Sequence, residues 1–87
     1  MINFNATTKL NGAEARLGDL IEFALDNSNA GSIEGLKAKR AIKAKIADGQ
    51  GELTTEEILI IKTSALTSLR DGATIWVIEQ IAPNDLK

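Results

Sequence analysis

The sequence predicts a mainly α-helical domain, a small bundle of three to four helices with a short N-terminal β-hairpin. Of its 87 residues, 44% are apolar but only 3% are aromatic, so the core must come from aliphatic side chains, which suits packed helices. Apolar residues recur at helical spacing over most of the chain. Because a chain of this length supports one small core, we expect residues 1–87 to form a single globular domain.

The N-terminal hairpin is indicated by its turn. Residues 2–4 (INF) and 8–10 (TKL) are strand-favouring types, and Asn11 and Gly12 follow them directly. Asn-Gly is the pair that most readily accepts positive φ at both positions of a two-residue turn. We therefore expect the chain to reverse its direction at Asn11 and Gly12.

Two helices are predicted next. The first begins at Leu17 and ends in the polar run DNSNAG. It carries one apolar stripe at helical spacing: Leu17, Leu20, Ile21, Ala24 and Leu25. The second begins after Ser32, a residue type that caps helix N-termini, and runs to about Ala47. We expect this helix to be mostly exposed, because its basic residues surround it and its aliphatic residues form no tidy stripe. The aliphatic anchors are Ile33, Leu36, Ile42 and Ile46.

The third helix has the clearest start. Thr54 and Glu57 have the spacing of a capping box, and Leu53 and Ile58 that of a hydrophobic staple. We expect the helix to end near Gly72, a residue suited to the left-handed conformation. The predicted core face consists of Ile58, Ile61, Ala65 and Leu69, widened by Leu59 and Leu66. The opposite side is small and weakly polar: Ile60, Thr63, Ser64 and Thr67.

Residues 74–82 fit a strand by propensity and a helix by spacing. We predict a helix, because Gly72 can end the preceding helix and Thr74 can begin the next one. Pro83 marks the end of this helix. Its predicted apolar face is Ile75, Ile78, Ile81 and Ala82, with Trp76 on the other side.

The stretch DGQGELTTEEI resembles the second half of an EF-hand calcium loop. Aligned in that way, Asp48 takes loop position 3, Gly51 the turn position and Glu57 the bidentate last position. The first ligand position falls on Ile46, whose side chain has no oxygen. An alternative accounts for the same residues as a helix end, a turn and a helix cap. We favour this alternative and expect no bound metal and no cofactor.

The segment between Glu34 and Ile46 is basic. It holds one acid and five basic residues, a charge of +4, while the rest of the chain carries −6. The basic residues are Lys37, Lys39, Arg40, Lys43 and Lys45. Phosphate contacts with nucleic acid are one interpretation. The chain is acidic overall, and no aromatic residue lies among the lysines to stack on bases. We therefore favour a solvated face, or a docking surface for an acidic patch of a protein.

Catalysis has little support in the sequence. The chain has no His and no Cys, so the usual general base, thiol nucleophile and transition-metal ligands are missing. No nucleotide-binding or nucleophile-elbow motif occurs. We expect a non-enzymatic protein. We also expect a cytoplasmic one, since neither a signal-peptide pattern nor an apolar run of membrane-spanning length occurs.

Ile60 and Trp76 are the candidate interface residues. Both fall outside the predicted core faces of their helices, and a domain of this size cannot cover every aliphatic residue. The alternative is that a neighbouring helix or the hairpin covers them inside the monomer. If it does not, they predict self-association or binding to a larger protein.

The outline of the chain resembles a group of proteins. A short hairpin, LGDLIEFAL, a middle helix and GELTTEEILIIKTSALTSL before an apolar C-terminal segment look like small helical proteins encoded in tailed-phage and prophage genomes. Such proteins include accessory or assembly factors and inhibitors of host systems. The resemblance implies a protein partner, but it assigns no functional residue.

Overall fold

Four helices make up most of the protein, which confirms the predicted fold class. The computed structural model describes residues 1–87, and its helices are α1 (Leu17–Asp26), α2 (Ile33–Ala47), α3 (Thr55–Ser68) and α4 (Asp71–Ile81). A 3₁₀ turn at Pro83–Leu86 follows α4. The strands are short: β1 (Ile2–Asn3), β2 (Thr7–Leu10), β3 (Ala13–Arg16) and β4 (Gln50–Gly51). None of the helices is both long and apolar enough to cross a lipid bilayer.

The predicted hairpin turn is present. Asn11 has φ 52° and Gly12 has φ 82°, and Leu10 pairs with Ala13 across the turn between β2 and β3. Positive φ at both turn positions matches the right-handed twist of a tight hairpin. The sequence did not indicate β3, because its residues AEAR have little intrinsic preference for strands.

The first strand, β1, does not belong to this hairpin. It pairs antiparallel with β4, in the connection between α2 and α3. Phe4 follows β1 and is completely buried. Its amide donates to Gly49 O (2.9 Å) and its carbonyl accepts from Gly18 N (2.8 Å). The N-terminal segment is therefore tied both to α1 and to the α2–α3 connection.

The core lies where the four helices meet. Its buried members are Phe4, Leu17, Ile21, Leu25, Ile42, Ile46, Ile61, Val77 and Ile81. The stripe predicted for α1 faces this core, with only Leu20 half-buried. Helix α2 begins as predicted, because Ser32 Oγ accepts a hydrogen bond from Gly35 N (3.0 Å).

Two of the four predicted anchors of α2 are wrong. Ile42 and Ile46 are buried, whereas Ile33 is 67% exposed and Leu36 is 60% exposed. Ile33 precedes Ile42 by nine residues, which at about 100° per residue places the two side chains on opposite sides of the helix. The helix is held to the core by its C-terminal half.

The capping box of α3 is present. Thr54 Oγ1 accepts a hydrogen bond from Glu57 N (3.1 Å), and Glu57 Oε1 accepts one from Thr54 N (2.8 Å). Leu53 and Ile58, the predicted staple, are both half-buried against the core. The start of this helix is thus set by the local interactions that its sequence indicates.

The buried face of α3 is rotated relative to the prediction. Ile61 and Ala65 are buried as expected, but Leu59 and Leu66 are exposed. Ser64, predicted on the polar side, is buried and accepts a hydrogen bond from Ser28 Oγ (2.9 Å). This bond gives the Ser64 hydroxyl group a hydrogen-bond partner, so a small polar residue can lie on the buried face of α3. The prediction had placed leucines on that face.

The end of α3 also differs from the prediction. The helix ends at Ser68, and Leu69 leaves it with an extended ψ of 154°. Gly72 is the second residue of α4 rather than a left-handed cap. Residues 74–82 are helical as predicted up to Ile81, but the face is shifted, because Thr74 and Val77 are buried and Ile75 is exposed.

Candidate functional site

The side of α3 that points away from the core carries four exposed residues in one line: Glu56, Leu59, Thr63 and Leu66. They are spaced three, four and three residues apart, which keeps them within about 80° of one another around the helix. We call them the outer face of α3. The buried residues Ile61 and Ala65 lie on the opposite side.

Two large aliphatic side chains dominate this outer face. Leu59 is 57% exposed and Leu66 is 71% exposed, and Thr63 between them is small. Single exposed leucines are common on protein surfaces. Two leucines aligned on one helix face form an apolar surface that a partner can cover. Lys62, which lies beside both leucines, is paired with Asp85.

Ile60 borders the outer face without belonging to it. It is half-buried and packs against the core, and it lines a groove of about 430 Å³ between α2 and α3. Leu59 and Thr63 line the same groove, and Gly35 and Lys39 contribute from α2. The predicted interface residue Ile60 is therefore partly covered inside the monomer, with its remaining surface next to the outer face.

Trp76 lies elsewhere. It is half-buried in α4, packs against the core and does not line the groove beside Ile60. The two candidate interface residues do not line the same groove. The most exposed apolar side chain of α4 is that of Ile75, at the position before Trp76. An interface role for Trp76 stays a prediction.

Lys39, the charged residue of the groove, is hydrogen-bonded within the chain. Lys39 Nζ donates to Ser28 O (2.7 Å), to Leu25 O (2.9 Å) and to Ser28 Oγ (3.1 Å). The ammonium group thereby covers carbonyls at the C-terminal end of α1, where a positive charge is favourable. No buried side-chain polar atom lacks a hydrogen-bond partner. Nothing in the groove requires a polar ligand, and the sequence contains no signal for this role of Lys39.

Three of the five basic residues predicted as a docking cluster have partners within the chain. Lys39 binds the end of α1, Lys43 forms an ion pair with Asp26, and Lys45 forms one with Glu57. The hydrogen bond to Asp26 raises the pKa of Lys43 above its ordinary value. Lys37 and Arg40 are exposed and form no ion pair. The positive charge offered to a partner is thus smaller than the sequence indicated.

The residues of the calcium-loop pattern have structural roles. Ile46, at the first ligand position, is a buried core residue. Glu57, at the last, is 6% exposed, and its Oε1 atom accepts from Lys45 Nζ (2.6 Å) as well as from Thr54 N. Gly49 has φ 85° and turns the chain after α2. No three acidic side chains are grouped so that they could hold a metal ion.

Two opposing effects act on the Glu57 carboxyl group. Burial raises its pKa, but the hydrogen bonds from Lys45 and Thr54 together outweigh burial, so the pKa of Glu57 lies below its ordinary value. The charge on this carboxylate therefore stabilises the junction between α2 and α3 at neutral pH. Its perturbed pKa has a structural cause in the cap of α3 and the ion pair with Lys45.

The chain matches no model of a known protein family, and neither a curated protein nor a solved structure matches it significantly.

Proposed function

We propose that the protein is a non-enzymatic protein-interaction module that binds its partner through the outer face of α3. The observation that carries this proposal is the exposure of Leu59 and Leu66, aligned on the side of the helix opposite the core. A surface helix usually presents charged residues to water on that side. Here the outer face carries Glu56 at its N-terminal end, and Lys62 at its edge is paired with Asp85.

Burial of the leucines of this face would contribute apolar free energy to a contact. Burying an exposed leucine contributes about 1.5–3 kcal/mol. Two leucines and the adjoining edge of Ile60 can therefore supply the apolar centre of an interface, with the small Thr63 between the leucines and Thr67 at the border. Binding to such a helix face needs no catalytic or metal-binding group.

Nucleic-acid binding has less support. Lys39, Lys43 and Lys45 are engaged within the chain, which leaves Lys37 and Arg40 as the free cations of the basic cluster. Two cations give only a weak, salt-sensitive attraction to phosphates. The resemblance to small phage and prophage proteins also favours a protein partner, of the kind that an accessory or assembly factor has.

Site-specific photo-cross-linking tests the proposal. A photoreactive amino acid replaces Leu66 in the full chain, and a matched variant carries it at Ala13, which is exposed on β3. Irradiation of cells that express each variant should yield a discrete adduct from position 66 and none from position 13. That adduct can contain a second copy of the chain or another protein. Absence of any adduct specific to position 66 would overturn the proposal.

A further inference from the structure

The order of residue types along α3 is self-complementary. The outer face begins with an acid, Glu56, and continues with Leu59, Thr63 and Leu66. Arg70, the second residue after the end of α3 at Ser68, is exposed and precedes α4. Read from either end, two leucines flank a central threonine. An acid stands at one end and a base at the other.

Neither terminal charge is used inside the monomer. The ion pairs of the protein join Arg16 to Asp19, Lys43 to Asp26, Lys45 to Glu57 and Lys62 to Asp85. Glu56 and Arg70 take part in none of them. Lys62, the other base near this face, is occupied by Asp85.

From this arrangement we infer that the outer face of α3 binds the same face of a second copy of the chain, with the two α3 helices antiparallel about a two-fold axis. The inference rests on the proposed function and names the partner. The two-fold axis passes near Thr63, so Leu59 of each copy meets Leu66 of the other. The same operation brings Glu56 of each copy towards Arg70 of the other. An isologous contact of this kind makes every favourable pair twice.

The spacing fits the packing of two helices. Steps of three and four residues alternate from Glu56 to Leu66 and keep the face directed at a neighbouring helix that crosses at a shallow angle. The small Thr63 at the centre lets the helix axes approach closely. A parallel pair would instead place Glu56 beside Glu56 of the second copy, and like charges at that distance repel.

The size of the face sets the strength of the dimer. Helix α3 has 14 residues and is about 21 Å long, so one face of it buries only a few hundred Å² per copy. Stable dimers usually bury about 800 Å² per partner. The α3 pair is therefore a weak dimer, with a Kd on the order of 0.1 mM, which forms when the local concentration is high.

Charge exchange between Glu56 and Arg70 tests both the partner and the orientation. Sedimentation equilibrium at about 20 mM salt, from roughly 10 μM to 1 mM protein, measures the Kd of the wild type, Glu56→Arg, Arg70→Glu and the double variant. In the homodimer of each single variant, residues 56 and 70 carry like charges and meet at both ends of the interface. Each single variant should therefore weaken the dimer roughly tenfold. The double variant restores opposite charges and should recover wild-type affinity. An equimolar mixture of the two single variants should form a heterodimer that neither forms alone.

A matched pair of leucine substitutions completes the test. Leu66→Gln should abolish the dimer, whereas Leu36→Gln, at a similarly exposed position on α2, should leave it unchanged. Circular dichroism checks that each variant is folded. A wild type that is monomeric at 1 mM, or a dimer indifferent to the charge exchange and to Leu66→Gln, overturns the inference. If position 66 still cross-links to another protein in cells, the proposed function survives that result.

Discussion

Lys45 Nζ lies 2.6 Å from Glu57 Oε1, and this ion pair joins the last turn of α2 to the first turn of α3. The same oxygen accepts the amide hydrogen of Thr54. One carboxylate thus caps α3, neutralises a lysine of α2 and fixes the connection that carries β4. The sequence indicates its capping role, but Lys45 is twelve residues away, and that contact depends on the path of the connection.

Glu57→Gln tests the charge of this group. Glutamine can keep the capping hydrogen bond but leaves Lys45 without an ion partner. Because the pKa of Glu57 is lowered from 4.5 by folding, its contribution is present above about pH 4.5 and is lost as the pH falls through the folded pKa. We expect a loss of about 1 kcal/mol at pH 7 that diminishes as the pH falls through the folded pKa, measured by urea unfolding from neutral to acidic pH. A difference independent of pH would show that the charge has no such role.

Lys39→Met removes the ammonium group that covers the end of α1 while it keeps most of the apolar stem. Carbonyl acceptors at Leu25 and Ser28 lose their donor. We expect a loss of about 1–2 kcal/mol of unfolding free energy, since hydrogen bonds to charged groups are stronger than neutral ones. Lys37→Met, at an exposed position without an ion pair, is the control and should stay within about 0.5 kcal/mol of the wild type. Equal effects of the two substitutions would contradict the capping role.

Leu66→Gln should not destabilise the monomer. Its side chain is mostly exposed, so we expect a change below about 0.5 kcal/mol at protein concentrations where no partner is bound. Ile61→Ala, on the buried side of the same helix, should cost about 2–5 kcal/mol. Chemical unfolding at low micromolar concentration distinguishes the two. A large loss for Leu66→Gln would place this residue in the core, as its spacing had indicated.

Calcium should leave the protein unchanged. Ile46 provides no oxygen at the first ligand position, and Glu57 is engaged by Lys45 and Thr54. We expect millimolar calcium to shift neither the melting temperature nor the amide resonances of residues 48–57. A saturable shift of those resonances, absent with magnesium at equal ionic strength, would establish a calcium site in this connection and contradict the prediction.

Local patterns predicted local structure well. The hairpin turn depends only on Asn11 and Gly12, which are neighbours in the sequence. The capping box depends only on Thr54 and Glu57, which are three residues apart. Both features could therefore be predicted from short stretches of sequence. The direction in which α3 presents its leucines was predicted wrongly. That direction depends on Ser28, thirty-six residues from Ser64, which makes a serine acceptable on the buried side.

The candidate site was missed for the same reason. Leu59 and Leu66 have the spacing of core residues, and a single sequence offers no means to tell which of two apolar stripes a helix buries. Ile60 and Trp76 were predicted as interface residues instead, and both pack against the core. All five basic residues were predicted as a docking cluster, whereas Lys43 and Lys45 are paired with acids far along the chain.

The hydrogen bond between Phe4 and Gly49 has a consequence for the order of events during biosynthesis. It joins positions 45 residues apart, so the first part of the chain has to wait for α2 and its connection before it can be enclosed. Until then the hairpin and α1 leave the ribosome with their apolar side chains open to water or to a chaperone. The core also needs Ile61, Val77 and Ile81, so slow translation at any point before α4 is complete should lengthen exposure to proteases.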